Sequence, residues 1–153
     1  VTKRGARVRA LVAGGMDPQA LELVENAMKR GVEVEALGPI YGSAKAEFLA
    51  SCDVLALPSR YRNEAEPLVL IEGQLAGCLV IATDIGTISQ TVCAGNGHTW
   101  SEASFPSEAA DLVERLARRP QDLRKVRRAI SINAAERANK ERQAWNELTA
   151  GLV

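Results

Sequence analysis

The 153-residue chain has a single histidine, His98, and only three cysteines, Cys52, Cys78 and Cys93, none in a C-x-x-C pair or at Cys/His ligand spacing. A lone histidine cannot belong to a His-based metal cluster, and an odd, scattered set of thiols indicates neither a zinc site nor a disulfide framework. The cysteines read as buried free thiols, and His98 as a structural or surface residue. No apolar run approaches membrane-spanning length. After the charged residues at Lys3 and Arg4 the apolar stretch is no longer than one strand, which argues against a secretory signal and makes a cytoplasmic location the default. Net charge is absent too: 19 basic and 19 acidic residues sum to zero, which argues against a dedicated nucleic-acid binder. Internal repeats and low-complexity linkers are lacking. So are an Asp-x-Asp motif and any comparable carboxylate cluster, and no metal is expected.

What is present is the balance of a globular protein, with 46% hydrophobic and 25% charged residues. The length suits one domain, residues 1–153, and is too short for two full α/β domains. The chain begins at Val1 rather than Met, as expected of a portion of something longer. Basic residues cluster at Lys3, Arg4, Arg7 and Arg9, and again from Arg115 to Arg128. The second cluster lies on expected helices, where charge is usually a solvated face. A docking surface for an anionic membrane or a partner domain is the alternative.

Apolar runs alternate with helical patterns along the chain. Residues 7–13 read as a strand ending at Gly14-Gly15, and Asp17-Pro18 caps and opens a helix with Leu21, Val24 and Met28 on one face. A strand over 32–37 is broken by Gly38-Pro39, and Ser43 can cap a short helix reaching Leu49. Residues 53–57 form an apolar strand stopped by Pro58, after which a charged loop leads to a helix from Pro67 to Ala76. Another apolar strand covers 78–82. A loop around residues 84–86, a helix to about Cys93 and an extended piece at 98–100 follow it. Helical patterns then run over 106–118, 120–134 and 136–150, with Leu112, Val113, Leu116, Val126 and Ile130 at core spacing. Strands alternating with helices predict a parallel sheet, covered on both faces, in which the strands at 8–13, 32–37, 53–57 and 79–82 are neighbours.

In such a sheet ligands bind beyond the carboxyl ends of the strands, where helix N-termini present free amides. The loop from Pro58 to Pro67 lies at such an end and carries Arg60, Arg62, Glu64 and Glu66. Glu72 shares its helical stripe with Leu68, Leu75 and Ala76, so it is a carboxylate on an apolar face. It must either find a donor within the fold or turn to the crevice, where a carboxylate can accept from both hydroxyls of a ribose diol. Glu64, eight residues earlier, can do the same for a neighbouring sugar. Two glutamates at this spacing carry little weight by themselves.

They stand within a larger ordered set. The stretch Ala50-Ser51-Cys52-Asp53-Val54-Leu55-Ala56-Leu57-Pro58-Ser59, then Glu64 and Glu72, then Leu75-Ala76-Gly77 and Val80-Ile81-Ala82-Thr83-Asp84-Ile85-Gly86, resembles the donor-binding core of group 1 glycosyltransferases of the GT-B fold. The resemblance implies a Rossmann-like α/β domain, the C-terminal half of that fold. It implies that Glu64 contacts the transferred sugar and serves as the catalytic residue, and that Glu72 holds the nucleotide ribose. The backbone from Ala65 through Glu66 and Pro67 to Leu68 would face sugar and diphosphate with its free amides, with Ser59 and Arg60 of the same loop counted in the donor site. Ile40 and Tyr41 would lie at the base, although ordinary packing is an equal reading of Tyr41.

Where the family commonly has Gly-Gly and a closing acid, this chain has Gly86-Thr87 and Gln90, so no site role is assigned to that loop. The family's diphosphate-binding Arg and Lys precede the position of Val8, and Lys3 and Arg4 do not match them. The expected donor substrate is a nucleotide-diphospho-sugar, with no cofactor. The acceptor would be a saccharide or lipid-linked compound met through an N-terminal domain outside this chain, and the full enzyme would be cytoplasmic or peripheral at the inner membrane face. Alone, the chain is expected to be inactive. A non-catalytic sugar-nucleotide-binding module and a flavodoxin-like interaction domain are the competing readings. Ala13-Gly14-Gly15 at the first strand end disfavours the receiver form of the second.

Overall fold

The computed structural model describes residues 7–64, 66–92 and 95–150. Lys3, Arg4, Ala65 and Cys93 lie outside the described residues. The order is β1 (Ala10–Ala13), α1 (Pro18–Lys29), β2 (Val34–Gly38), α2 (Gly42–Ser51), β3 (Val54–Leu57), α3 (Leu68–Leu75), β4 (Leu79–Thr83), α4 (Ile88–Thr91), β5 (Gly97–Trp100), α5 (Phe105–Arg118) and α6 (Pro120–Ala150). All strand pairs are parallel. The expected α/β alternation is therefore present.

β4 is the centre of the molecule, because all five of its residues are buried and it pairs on both sides, with β3 and with β5. Successive side chains of a strand point to opposite faces, so an uninterrupted apolar strand requires cover on both. Leu79 and Ile81 meet Phe105, Leu112, Leu116 and Ile130 of α5 and α6 on one face. On the other, Val80 and Ala82 meet Leu70 of α3 together with Ile88 and Val92. The core spacing read from the C-terminal helices is borne out at Leu112, Leu116 and Ile130, with Val113 and Val126 packed against them.

Four expectations are corrected. The four neighbouring strands are not one sheet: β1 pairs with β2 in one, and β3, β4 and β5 form another. β1 has only four residues, a register shift between Val12 and Ala13, and no buried side chain, so it lacks the straight apolar edge that would seat it on β3. The face of α1 bearing Leu21, Val24 and Met28 does not form a core, since no residue of α1 is buried and Leu21 and Met28 are exposed. Ser43 does not cap α2. The helix starts at Gly42, whose φ of 58° turns the chain one residue earlier, with Tyr41 at the cap position. The patterns at 120–134 and 136–150 are one 31-residue helix, because Ala134-Ala135-Glu136 are strong helix formers with no breaker among them.

Other readings hold. Asp17 caps α1 by accepting from the Ala20 amide at 2.7 Å, with Pro18 in the first turn. Cys78 is a buried free thiol, and Cys52 is free and half-buried. Burial pushes the Cys78 thiol up to about 11, with a smaller contribution from Cys52, and burial also raises Cys52. Neither is a poised nucleophile. His98 is exposed and stacks on Trp100 with ring centroids 5.4 Å apart. The basic run on α5 and α6 is not uniformly a solvated face. Arg127 bonds the carbonyls of Gly77 and Ala50 and pairs with Asp53 at 2.7 Å, tying α6 to the amino ends of β3 and β4.

Candidate functional site

β2 ends at Gly38 and β3 at Leu57, so the loops leading to α2 and α3 each leave the carboxyl end of a strand. The loop from Pro58 to Pro67 is fixed there by polar contacts to the end of β4. Thr83 is buried, and its hydroxyl donates to the Ser59 carbonyl at 2.6 Å. Ser59 in turn donates to Glu64 Oε2 at 3.2 Å and accepts from the Tyr61 amide. The Thr87 amide donates to the Glu64 carbonyl at 3.2 Å.

Gly86 completes this support. Its φ is 59°, and a Cβ built there would run into the carbonyl oxygen of Glu64. The chain between β4 and α4 can lie against Glu64 only without a side chain at residue 86. Thr83, Gly86 and Thr87 thus support the segment that carries Glu64, a role the sequence reading did not assign to them. A polar Thr closing an otherwise apolar strand was the available signal for the first.

Glu72 occupies the second turn of α3, and its carboxylate is divided in role. Oε1 pairs with Lys45 Nζ of α2 at 2.6 Å, whereas Oε2 is buried and has no hydrogen-bond partner. The side chain as a whole is 37% exposed, so the carboxylate sits at a boundary rather than in the core. The stripe it shares also differs from expectation: Leu68 and Leu75 are exposed, and the buried residues of α3 are Leu70, Gly73 and Gln74. An eight-residue helix against β3 and β4 buries only its sheet-facing side, which leaves the Glu72 stripe outward.

Tyr41 is 78% exposed, which removes packing as its role, and Ile40 is half-buried beside it. Glu66 and Leu68 are exposed and Pro67 is half-buried at the N-cap of α3, which has no side-chain cap. The first α3 amides are therefore not taken by a capping side chain. Arg60 is exposed and pairs with Glu102 at 3.0 Å, on the chain just after β5. Asp53, by contrast, stands at the amino end of β3 and is held by Arg127, far in topology from the carboxyl-edge loops. Among the described residues no group of three His, Cys, Asp or Glu side chains is placed to hold a metal. A cavity of about 260 Å³ lies between α3 and α6, lined by Ile71, Gln74, Leu75, Ala134 and Arg137 among others. Neither Glu64 nor Glu72 lines it.

The comparisons with known proteins converge. The chain is 30% identical over 97% of its length to a D-inositol 3-phosphate glycosyltransferase of Actinosynnema mirum, covering 35% of that protein. A protein of the same name from Corynebacterium urealyticum is 31% identical over 71% of this chain and 27% of its own length. The chain thus spans about a third of the length of these relatives. In fold it matches the crystal structure of AviGT4, a glycosyltransferase involved in avilamycin A biosynthesis, with a TM-score of 0.51 and 21% identity over 94% of this chain and 44% of that one. That likeness supports a GT-B type α/β domain. The model of the family Glycosyl transferases group 1 matches residues 1–137, and the chain belongs to that family.

Proposed function

We propose that this chain binds the nucleotide-diphospho-sugar donor of a retaining glycosyltransferase and works as the donor half of a larger enzyme. The observation that carries the reading is the buried, unpartnered Oε2 of Glu72, eight residues after Glu64. An unsatisfied carboxylate oxygen is costly, and a ribose hydroxyl would satisfy it. Glu64, held by Ser59, would contact the transferred sugar. The amides at Glu66 and Leu68, with Ser59 and Arg60, would lie along sugar and diphosphate, and Ile40 and Tyr41 along the base.

In the reaction the bond from the anomeric carbon to the diphosphate oxygen breaks and an acceptor oxygen bonds that carbon on the same face, losing its proton. Negative charge grows on the leaving diphosphate. The uncapped amides at the start of α3 would stabilise it, as a helix N-terminus does for any anion. The acceptor would be met through another part of the enzyme. D-inositol 3-phosphate, named in the relatives, is the first acceptor to assay beside saccharides and lipid-linked sugars. The chain alone is expected to transfer no sugar, because interactions that develop during transfer would be incomplete.

A thermal-shift screen of UDP-, GDP- and ADP-sugars tests the reading. One donor should raise the melting temperature, since a ligand at a hundredfold excess over its dissociation constant adds roughly 2.7 kcal/mol. Glu72→Ala should remove most of that gain. No shift with any donor, or an equal shift in the variant, would end the proposal.

A further inference from the structure

Lys45 has no place in the site as the sequence describes it, yet it pairs with Glu72, 2.6 Å from Nζ to Oε1. Both side chains are 37% exposed. A pair so wet contributes little to folding, while holding a lysine in one rotamer costs side-chain entropy. Stability therefore does not account for it. Its geometric effect is more specific. The terminal torsion of a glutamate is broad, so a carboxylate without a fixed partner turns freely between arrangements. With Oε1 held by an ammonium, the carboxylate plane is set and Oε2 is directed to the buried position where it has no partner.

We infer that Lys45 is a positioning residue that orients Glu72 so that Oε2 is presented to a sugar hydroxyl of the bound nucleotide; this rests on the reading of Glu72 as the ribose ligand. Lys45 touches the carboxylate and not the ligand. It comes from the fourth position of α2, and Glu72 from the fifth of α3. Two helices that follow strands of different sheets thus meet through this pair. The arrangement makes the hydroxyl contact depend on the seating of α2 against α3, a link that neither helix carries by itself. The ammonium also offsets the charge of Glu72 near the region where a diphosphate would sit, which eases the approach of an anion.

The test separates orientation from mere structure by asking how well the protein distinguishes a ribose from a sugar without hydroxyls. UDP, GDP and ADP are titrated by calorimetry into the wild-type chain, and the tightest is compared with its 2′,3′-dideoxy counterpart. A hydrogen bond to a charged group predicts a preference for the riboside of roughly tenfold or more. In Lys45→Met that preference should fall to about twofold, and Lys45→Arg, which keeps a cation at the position, should restore most of it. Circular dichroism and the melting temperature should stay near those of the wild type in both variants, because the pair is exposed.

Glu72→Gln separates the two levels of the claim. If no nucleotide binds, if the wild type shows no preference, or if Glu72→Gln leaves the preference intact, the ribose reading of Glu72 fails and the inference fails with it. If Glu72→Gln abolishes the preference but Lys45→Met keeps it, the ribose reading stands and the positioning role of Lys45 is overturned. A preference that grows in Lys45→Met overturns it as well, since the lysine would then be competing for the carboxylate.

Discussion

The stretch from β1 to β2 and the body from β3 to α6 are built by the same alternation of strand and helix, yet they are held together in different ways. No residue from Arg7 to Phe48 is buried, and the first buried one among the described residues is Leu49. The N-terminal unit is instead defined by local chemistry: the Asp17 cap, Pro18 in the first turn, and charge pairs between parallel neighbours, Arg9 with Glu35 and Arg7 with Glu33. Leu21, Leu23 and Met28 of its helix remain exposed. The body has two apolar layers on either side of β4. Local signals suffice to choose the type of an element, but only burial on two faces fixes where that element sits.

Core truncation should expose this contrast most strongly. Ile130 is fully buried against β4 and α5, so Ile130→Ala should cost about 2–5 kcal/mol in chemical denaturation, whereas Leu21→Ala should stay within about 0.5 kcal/mol. Equal losses would show that α1 is seated in a core after all. Hydrogen exchange gives the same comparison residue by residue, with the amides of β1 and β2 expected to exchange well before those of β4.

Glycine substitutions sharpen the comparison at turns. Gly14 and Gly86 both have positive φ, 128° and 59°, but only Gly86 lies against another chain segment. Gly86→Ala should cost roughly 1–3 kcal/mol and weaken donor binding by displacing Glu64, whereas Gly14→Ala should cost about 1 kcal/mol from backbone strain alone. Calorimetry with the donor found in the screen checks the binding half. Unaltered affinity in Gly86→Ala would detach this loop from the site.

Losing the helix cap should be smaller still and confined to one region. Asp17→Ala removes a single cap and should destabilise α1 by about 1 kcal/mol, seen as faster exchange in α1 with the body unchanged. At neutral pH the least effect belongs to the cysteines. Cys78 titrates at about 11 in the fold against 9.0 for an ordinary thiol, so its neutral form supports the body fully below pH 9. That support is lost as pH rises toward 11, because the unfolded chain gives up the proton first. Denaturation curves from pH 8 to 11 should slope downward in the wild type, and less so in Cys78→Ala.

Much of this was legible because it depends on neighbours in sequence. The Asp17-Pro18 start of α1, the apolar run of β4 and the spacing of Leu112, Leu116 and Ile130 each announce an element from a short window. Glu64 and Glu72 could be singled out because they stand at a fixed spacing in an ordered set of motifs. Their supporting contacts could not, since Thr83, Gly86, Thr87 and Lys45 reach them from other loops and helices, although Thr83 and Gly86 stand in the same motif set.

The sequence by itself therefore determined the kinds of elements, their order and the family to which the chain belongs. Only the tertiary structure decided that the strands divide into two sheets, that the last two helical patterns are one helix, and that Lys45 holds one oxygen of Glu72 while the other stays unpartnered. The physical reason is range. Propensity, capping and periodicity act within a few residues, whereas sheet pairing, burial and ion pairs depend on which distant segments come within a few ångströms.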